Sequence, residues 1–497
     1  MIQANCPNCG DTVPFHSEYS SHAVCASCDT LVLRHESGVE NLGKVAEIQL
    51  DGSPLQLGAQ GTYNGRTFQI IGRIQLRYAD GFWNEWHLLY SDGESGWLGE
   101  AMGEYFVSFL VESGGALPDP SRIALGDDLS LNGETFVVTG FTANELASYE
   151  GELPFLVQPK GQYPAYDLRS VSGKAATIDY SDSPPSLFLG EYKTFQELQI
   201  VGARVEGQPP APGSGVRVPA QVPVEKFNCP SCGAPHSVEG GVRSKVLVCE
   251  YCGSAVDISD SSLKIIWQER RMREELQAGT ELPLGAKAKI EGLEFRLIGY
   301  IKKSVTYEGL RYPWVEYLLY NYTNGYRWLV ESDGHYTLVE TIVNLPTRGG
   351  RPVGRPAPEG IRWGDRDFKH FQTSTATVEA VAGEFYWKVK VGEDALNFDY
   401  VSPPEMLSME ASDTGFVWSL GRYVTPDQVV ELFGLQKSLR EPVGVAPAQP
   451  NPYKGPASAM WRTFRAFALI GLLLMMTGVL SGSGKTVFDT HNQVYHT

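Results

Sequence analysis

The residues best suited to chemistry are eight cysteines in four Cys-x-x-Cys pairs: Cys6 with Cys9, Cys25 with Cys28, Cys229 with Cys232, and Cys249 with Cys252. Fifteen residues separate Cys9 from Cys25, sixteen separate Cys232 from Cys249, and no cysteine is left over. That is the spacing of four-thiolate zinc sites. Two residues between paired cysteines let one tight turn aim both sulfurs at the same ion. Gly10, Gly233 and Gly253 follow such pairs, with Asp29 in the fourth place. Gly, and less often Asp, tolerates the positive φ that the turn needs. The sequence therefore predicts two structural zinc ions. One is held by Cys6, Cys9, Cys25 and Cys28, the other by Cys229, Cys232, Cys249 and Cys252. The competing reading is two disulfides per set. Met1–Asn5 lacks the charged and apolar run of a secretory signal, and disulfides are rare in reducing cytosol, so zinc is preferred. A closed four-sulfur shell leaves no position open for chemistry. His16, His22 and His236 lie inside the cysteine loops and read as surface residues, since each site already has four sulfurs.

The other candidates are acids that recur, Glu85 with Glu316 and Glu100 with Glu331. Paired carboxylates do acid–base work where they converge. Each neighbours a tryptophan near a strand end, so a structural hydrogen bond is the plainer reading. Trp83, Trp97, Trp314 and Trp328 read as core. Trp83, Glu85, Glu100, Trp314, Glu316 and Glu331 together mark the expected ligand or partner surface. There is no Gly-rich phosphate loop, His-Glu-x-x-His or nucleophile elbow. The expectation is a scaffold or interaction protein without catalytic residues. The alternative is a small-ligand-binding protein or a hydrolytic or transfer enzyme built on the repeated acids. A concave site containing both Glu85 and Glu100 would favour it.

The elements that must position these residues are themselves duplicated. Leu57-Gly58-Ala59 recurs as Leu284-Gly285-Ala286, and Gly65, Phe68, Ile71 and Gly72 as Gly292, Phe295, Ile298 and Gly299. Four residues enter the second copy after Gly299. Trp83, Glu85, Leu88, Trp97, Leu98, Glu100, Gly103 and Tyr105 then match Trp314, Glu316, Leu319, Trp328, Leu329, Glu331, Gly334 and Tyr336. More loosely, Asp179-Tyr180 and Pro184-Pro185 match Asp399-Tyr400 and Pro403-Pro404, and Gly190-Glu191-Tyr192 matches Gly421-Arg422-Tyr423. Thr67–Ile74 and Glu294–Ile301 read as strands after turns at Asn64-Gly65 and Glu291-Gly292, and Asn324-Gly325 as a hairpin turn. With 24 Tyr, 21 Phe, 10 Trp and 53 Gly, the fold class is mainly β: two tandem units, each a zinc ribbon plus a small β barrel or sandwich.

The run Leu-Gly-Ala, Gly-x-x-Phe-x-x-Ile-Gly, Trp-x-Glu, Trp-Leu-x-Glu resembles bacterial proteins of the DUF4178 family, a domain of unknown function, twice, around 55–200 and 282–435. The resemblance implies a β-rich domain found beside zinc ribbons and membrane segments, in gene neighbourhoods with small membrane proteins and polyamine-type enzymes. It transfers no catalytic residues. The partners it suggests are other proteins, among them membrane proteins of the same neighbourhood.

The expected organisation is a ribbon at 1–40, a β domain at 45–204, a Pro/Gly-rich linker at 205–225, a second ribbon at 226–260, a connecting helix at 261–279 and a second β domain at 280–440. A linker at 441–460, a transmembrane helix at 461–484 and a short tail at 485–497 follow. Leu263, Ile266, Trp267 and Leu276 suggest the connecting helix's apolar face. Arg348, Arg351 and Arg355 form the one short basic cluster, read as a solvated loop, with contact to an acidic partner or lipid headgroups as the sharper reading. Ala466–Gly484 is uncharged, close to the length that spans a bilayer. Lys454, Arg462 and Arg465 before it place the bulk in the cytoplasm by the positive-inside rule, in a single-pass membrane protein. Lys485–Thr497 alternates weakly, as the first strand of a continuation would. A net charge of −17 speaks against nucleic acid. The first ribbon has no Lys or Arg between its cysteines, and the second sets Arg243 and Lys245 against Glu239.

Overall fold

The computed structural model describes residues 2–450, apart from 18–19, 36–37, 47, 49–50, 79–80, 102, 156–160, 207–225, 241–242, 260–261, 269–279 and 357–358. Turn chemistry sets the first strands. Asn64 and Gly65 take φ of +50° and +75°, and Glu291 and Gly292 take +50° and +85°. Such pairs match the twist of two-residue hairpins. They join Gln60–Tyr63 to Arg66–Tyr78 and Lys287–Ile290 to Leu293–Tyr307.

Eight antiparallel strands then close a barrel in each unit. In the first, Arg66–Tyr78, Gly81–Tyr90, Ser95–Ala101 and Glu104–Val111 form one meander. Glu134–Leu153, Tyr163–Ser170, Lys174–Asp179 and Ser186–Lys193 form another. Glu104–Val111 pairs with Ser186–Lys193, and Glu134–Leu153 pairs with Arg66–Tyr78, which completes the circuit. The second unit repeats it. Leu293–Tyr307, Leu310–Asn321, Gly325–Ser332 and His335–Thr341 join Arg366–Phe385, Asp394–Ser402, Glu405–Ala411 and Phe416–Val424 through the same two closures. Closure is tight where the strands cross. A Cβ on Gly72 would lie 2.0 Å from the Glu152 carbonyl oxygen, and one on Gly299 2.6 Å from that of Glu384. Only glycine fits, which explains why this pair recurs.

One face of each wall buries the repeated apolar residues. Trp86, Leu88, Leu98 and Tyr105 cluster with Leu55 and Leu198, and their counterparts Tyr317, Leu319, Leu329 and Tyr336 cluster with Leu282 and Val429. Val429 belongs to the helix Pro426–Phe433, which Thr425 caps with a capping box and Gly434 ends at φ +60°. The ribbons extend the barrels. His22–Val24 and Val246–Val248 each pair with their own ribbon hairpin and with the end of the long barrel strand, at Glu152–Leu153 and Gly383–Phe385. Leu31 and Val24 pack with Ile74, Trp97 and Leu153.

Several expectations change. Ile265–Gln268 is a strand paired with Ser254–Asp257, not the start of a helix. Ile265, Ile266 and Trp267 suit an edge strand, and the Trp267 indole donates to the Val389 carbonyl at 3.1 Å. Leu276 and the rest of that segment lie outside the described residues. The basic cluster Arg348, Arg351 and Arg355 stays solvent-exposed, as expected of a solvated segment, but it carries a short hairpin and ion pairs. Thr347–Arg348 pairs with Arg351–Pro352, Arg348 faces Glu359 at 2.5 Å, and Arg355 meets Asp127 of the first unit at 2.9 Å. In the distal repeat, Gly190-Glu191-Tyr192 and Gly421-Arg422-Tyr423 hold equivalent places, but the Asp-Tyr and Pro-Pro matches shift by one strand. Asp399 pairs with Gln372 as Asp167 pairs with Gly140, so Asp399 is the counterpart of Asp167, and Glu410 that of Asp179. Of the linker expected at 205–225, residues 207–225 lie outside the described residues, as do the expected transmembrane helix at 461–484 and tail at 485–497. Among the described residues no helix is long and apolar enough to cross a membrane.

The two ribbon–barrel units form one compact body through residue 448. Tyr105 donates to the Thr323 carbonyl at 2.9 Å, Tyr322 to that of Ser53 at 3.3 Å, and Arg169 to that of Ile342 at 3.2 Å. Residue 103 must be glycine because its Cβ would lie 2.1 Å from the Gly325 nitrogen.

Candidate metal centres and barrel carboxylates

Each tetrad is assembled from two knuckles. The amides of Gly10, Asp29, Gly233 and Gly253 donate to the carbonyls of Cys6, Cys25, Cys229 and Cys249 at 2.8–2.9 Å. All four residues take the positive φ that the turn requires. The sulfurs of Cys6 and Cys28, and of Cys9 and Cys25, are 3.6 Å apart. In the second ribbon the two corresponding distances are 3.7 Å. A tetrahedron with metal–sulfur bonds of about 2.3 Å has edges of about 3.8 Å, so the spacing suits an ion and is far too long for a disulfide. All eight cysteines are free thiols, and each set places its four sulfurs within 4.8 Å of one another.

Neighbours prepare the sulfurs. Thr30 and the Asn8 amide beside Cys28 pull its thiol down to about 6. Cys252 is opposed by burial but reaches about 6 through Ser254. Burial pushes Cys25 up to about 12, so binding there must displace a proton. The histidines differ from expectation. His22 is buried, its neutral form favoured by burial and then by His35, and it contacts Ser21 Oγ at 2.7 Å. His16 faces Glu152. His236 Nε2 lies 3.2 Å from Cys249 Sγ, outside the tetrad but able to donate to it.

A repeated acid missed in the sequence fastens each ribbon. Glu152 is buried and accepts the backbone N–H of His16 at 2.8 Å and of Ser17 at 3.2 Å. Glu384, its counterpart, accepts the N–H of Gly240 at 2.8 Å and the Ser244 hydroxyl at 2.5 Å. Burial raises the Glu384 carboxyl despite these donors. The signal was the recurring dipeptide Gly151-Glu152 and Gly383-Glu384.

The four repeated acids do not form one site. Asn84 pairs with Glu100 across the ladder, so Glu85 and Glu100 occupy opposite faces. Glu100 is buried and accepts the Trp86 indole at 3.2 Å and Arg243 of the second ribbon at 2.9 Å. Glu331 accepts the Gly334 amide at 2.8 Å and Arg440 at 3.3 Å. Glu85 and Glu316 instead face inward, each accepting the indole N–H of its Trp neighbour, from Trp83 at 3.3 Å and Trp314 at 2.8 Å. Their face is interior because partners from non-neighbouring strands meet there. Arg169 reaches Glu104 at 3.7 Å and Lys303 reaches Glu410 at 3.9 Å. Burial, then the nearby Asp179 and Asp167, push Glu85 up to about 7. Trp97 is core, stacked on His87 with centroids 5.2 Å apart, and Trp328 meets Trp387 edge-on. Trp83 and Trp314 are half-buried.

Compared with known proteins, a family model described as a domain of unknown function (DUF4178) matches residues 56–195 and 283–426, more than half of the chain. No curated protein and no solved structure matches.

Proposed function

The chain belongs to the DUF4178 family, carrying its domain twice, and from that premise we propose a zinc-stabilised, membrane-tethered scaffold that offers a rigid double barrel to protein partners in the cytoplasm. The observation that carries this is the use made of the repeated acids. Of the four acids that were the candidates for chemistry, Glu100 fastens the first barrel to Arg243 of the second ribbon, and Glu331 holds Arg440 of the segment that follows its own barrel. Two cysteine tetrads with near-tetrahedral spacing supply one staple per ribbon, and sulfur-only ligands favour zinc. Membrane attachment rests on the uncharged run at Ala466–Gly484 and its basic flank. Cell fractionation tests the reading. The full chain is expected in membranes and released by detergent, and a chain ending before Trp461 in the soluble fraction. Recovery of the full chain in the soluble fraction without detergent would overturn the tether.

A further inference from the structure

The four residues inserted after Gly299 lengthen one hairpin, and the extension carries apolar side chains into water. In the second barrel Leu293–Tyr307 pairs with Leu310–Asn321 as far as the turn, where Glu308 and Gly309 take φ of +49° and +79°. From Val315, which pairs with Glu331 of the next strand, the wall runs about 17 Å further to Leu310 at about 3.4 Å per residue. Val305 pairs with Tyr312 and Tyr307 with Leu310, so these four side chains share one face. It is the face that carries Lys303 and Trp314 lower in the ladder. The opposite face is tied down: Glu379 accepts the Ser304 hydroxyl and the Arg311 Nε–H, each at 2.5 Å. The apolar face is open, with Tyr307, Leu310 and Tyr312 exposed by 66 %, 62 % and 49 %. The first barrel has only a short hairpin here, in which Tyr78 pairs with Gly81. Its Tyr78 is covered by the Trp83 ring at 5.5 Å and by Lys245 of the second ribbon at 5.9 Å.

The chain leaves this barrel by the same rim. The turns at Glu308-Gly309 and Asp333-Gly334 belong to one meander and lie at the same end of it. The Val443 N–H donates to the Asp333 carbonyl at 2.9 Å, and the Val443 carbonyl lies 3.3 Å from His335 Nε2. The segment after the helix therefore crosses that second turn, with Val443 and Val445 exposed. About 18 residues then separate Val443 from Trp461, a reach of at most about 60 Å. We infer that the face formed by Val305, Tyr307, Leu310 and Tyr312 rests on the interfacial layer of the bilayer that holds Ala466–Gly484. Tyrosine suits that layer, with its ring against acyl chains and its hydroxyl among headgroups. Contact through the face rather than the apex leaves Glu308 in water. Arg311 is already paired with Glu379, so the contact is apolar and does not call for anionic lipid. The extension belongs to the unit next to the tether and is missing from the other, as this role requires.

This contact rests on the membrane tether proposed above and deepens it. The test is hydroxyl-radical footprinting of the full chain in phosphatidylcholine nanodiscs, one chain per disc, with oxidation of each tyrosine read by mass spectrometry. Tyr251 is the internal reference. It is 54 % exposed and belongs to the second ribbon, which pairs with the far end of the barrel strand at Gly383–Phe385. Tyr307 and Tyr312 are expected to be oxidised at least fivefold less than Tyr251. In Leu310→Asp they are expected to match it, because a charge on this face opposes burial in lipid. Equal oxidation of the three tyrosines in the parent, or unchanged protection in Leu310→Asp, would overturn the contact and leave the tether standing. A full chain that enters no disc would overturn both.

Discussion

Glu152 and Glu384 are single buried carboxylates that each collect donors from a ribbon loop. Truncating either removes the acceptor that those donors share. Glu384→Ala is expected to cost about 2–4 kcal/mol in urea unfolding and to lower metal retention by the second ribbon alone. Equal loss from both ribbons would contradict it. Glu85 makes a pH prediction. Its folded carboxyl sits near 7 rather than in the ordinary range, so between about pH 4.5 and 7 the folded chain holds a proton that the unfolded chain has lost. That contribution is complete at low pH and fades as pH rises through 7. Glu85→Gln should therefore gain about 1–3 kcal/mol relative to the parent on going from pH 5 to pH 8. Parallel urea midpoints at the two pH values would refute this. The two cysteine tetrads were legible in the sequence because their geometry is local, set by two-residue spacing and positive-φ turns. The roles of Glu100, Glu152 and Glu384 were not, because each depends on a partner more than a hundred residues away or across a unit boundary.

At the scale of elements, the first meander of each barrel was legible, since turns, glycine contacts and core aromatics fix its register together. In the second meander the match of Gly190-Glu191-Tyr192 with Gly421-Arg422-Tyr423 keeps its strand, while the matches before it drift by one. Its Asp, Tyr and Pro matches carry no register, whereas strand pairing does. The start of the expected connecting helix differs for another reason: over four residues, Ile265–Gln268 fits either period, and pairing with the ribbon edge decides for strand. The same acid position also has different surroundings in the two units. Arg243 and Glu100 are 7 % and 3 % exposed, whereas Arg440 opposite Glu331 is 51 % exposed. Arg243→Ala leaves a buried charge and is expected to cost about 3–5 kcal/mol, against about 0.5–1 kcal/mol for Arg440→Ala. Similar losses from the two variants, measured by urea unfolding, would contradict the seam described here.

At the scale of the whole molecule, duplication has produced one body rather than two beads on a linker. The surface of the first unit around Gly103 is closed by Gly325 of the second. The equivalent surface around Gly334 is closed by the chain's own Arg440 and Glu441, with Val443 bonding to the Asp333 carbonyl at 2.9 Å. The segment after the helix thus stands where a further unit would dock. Each ribbon nevertheless keeps its own complete set of sulfurs, so metal binding at one is expected to survive loss of the other. The most direct test of the account is elemental analysis of the purified full chain and of its Cys6→Ser/Cys9→Ser variant. The account predicts two zinc ions per chain and one in the variant. No zinc in the parent, with the eight cysteines recovered as disulfides, would contradict it.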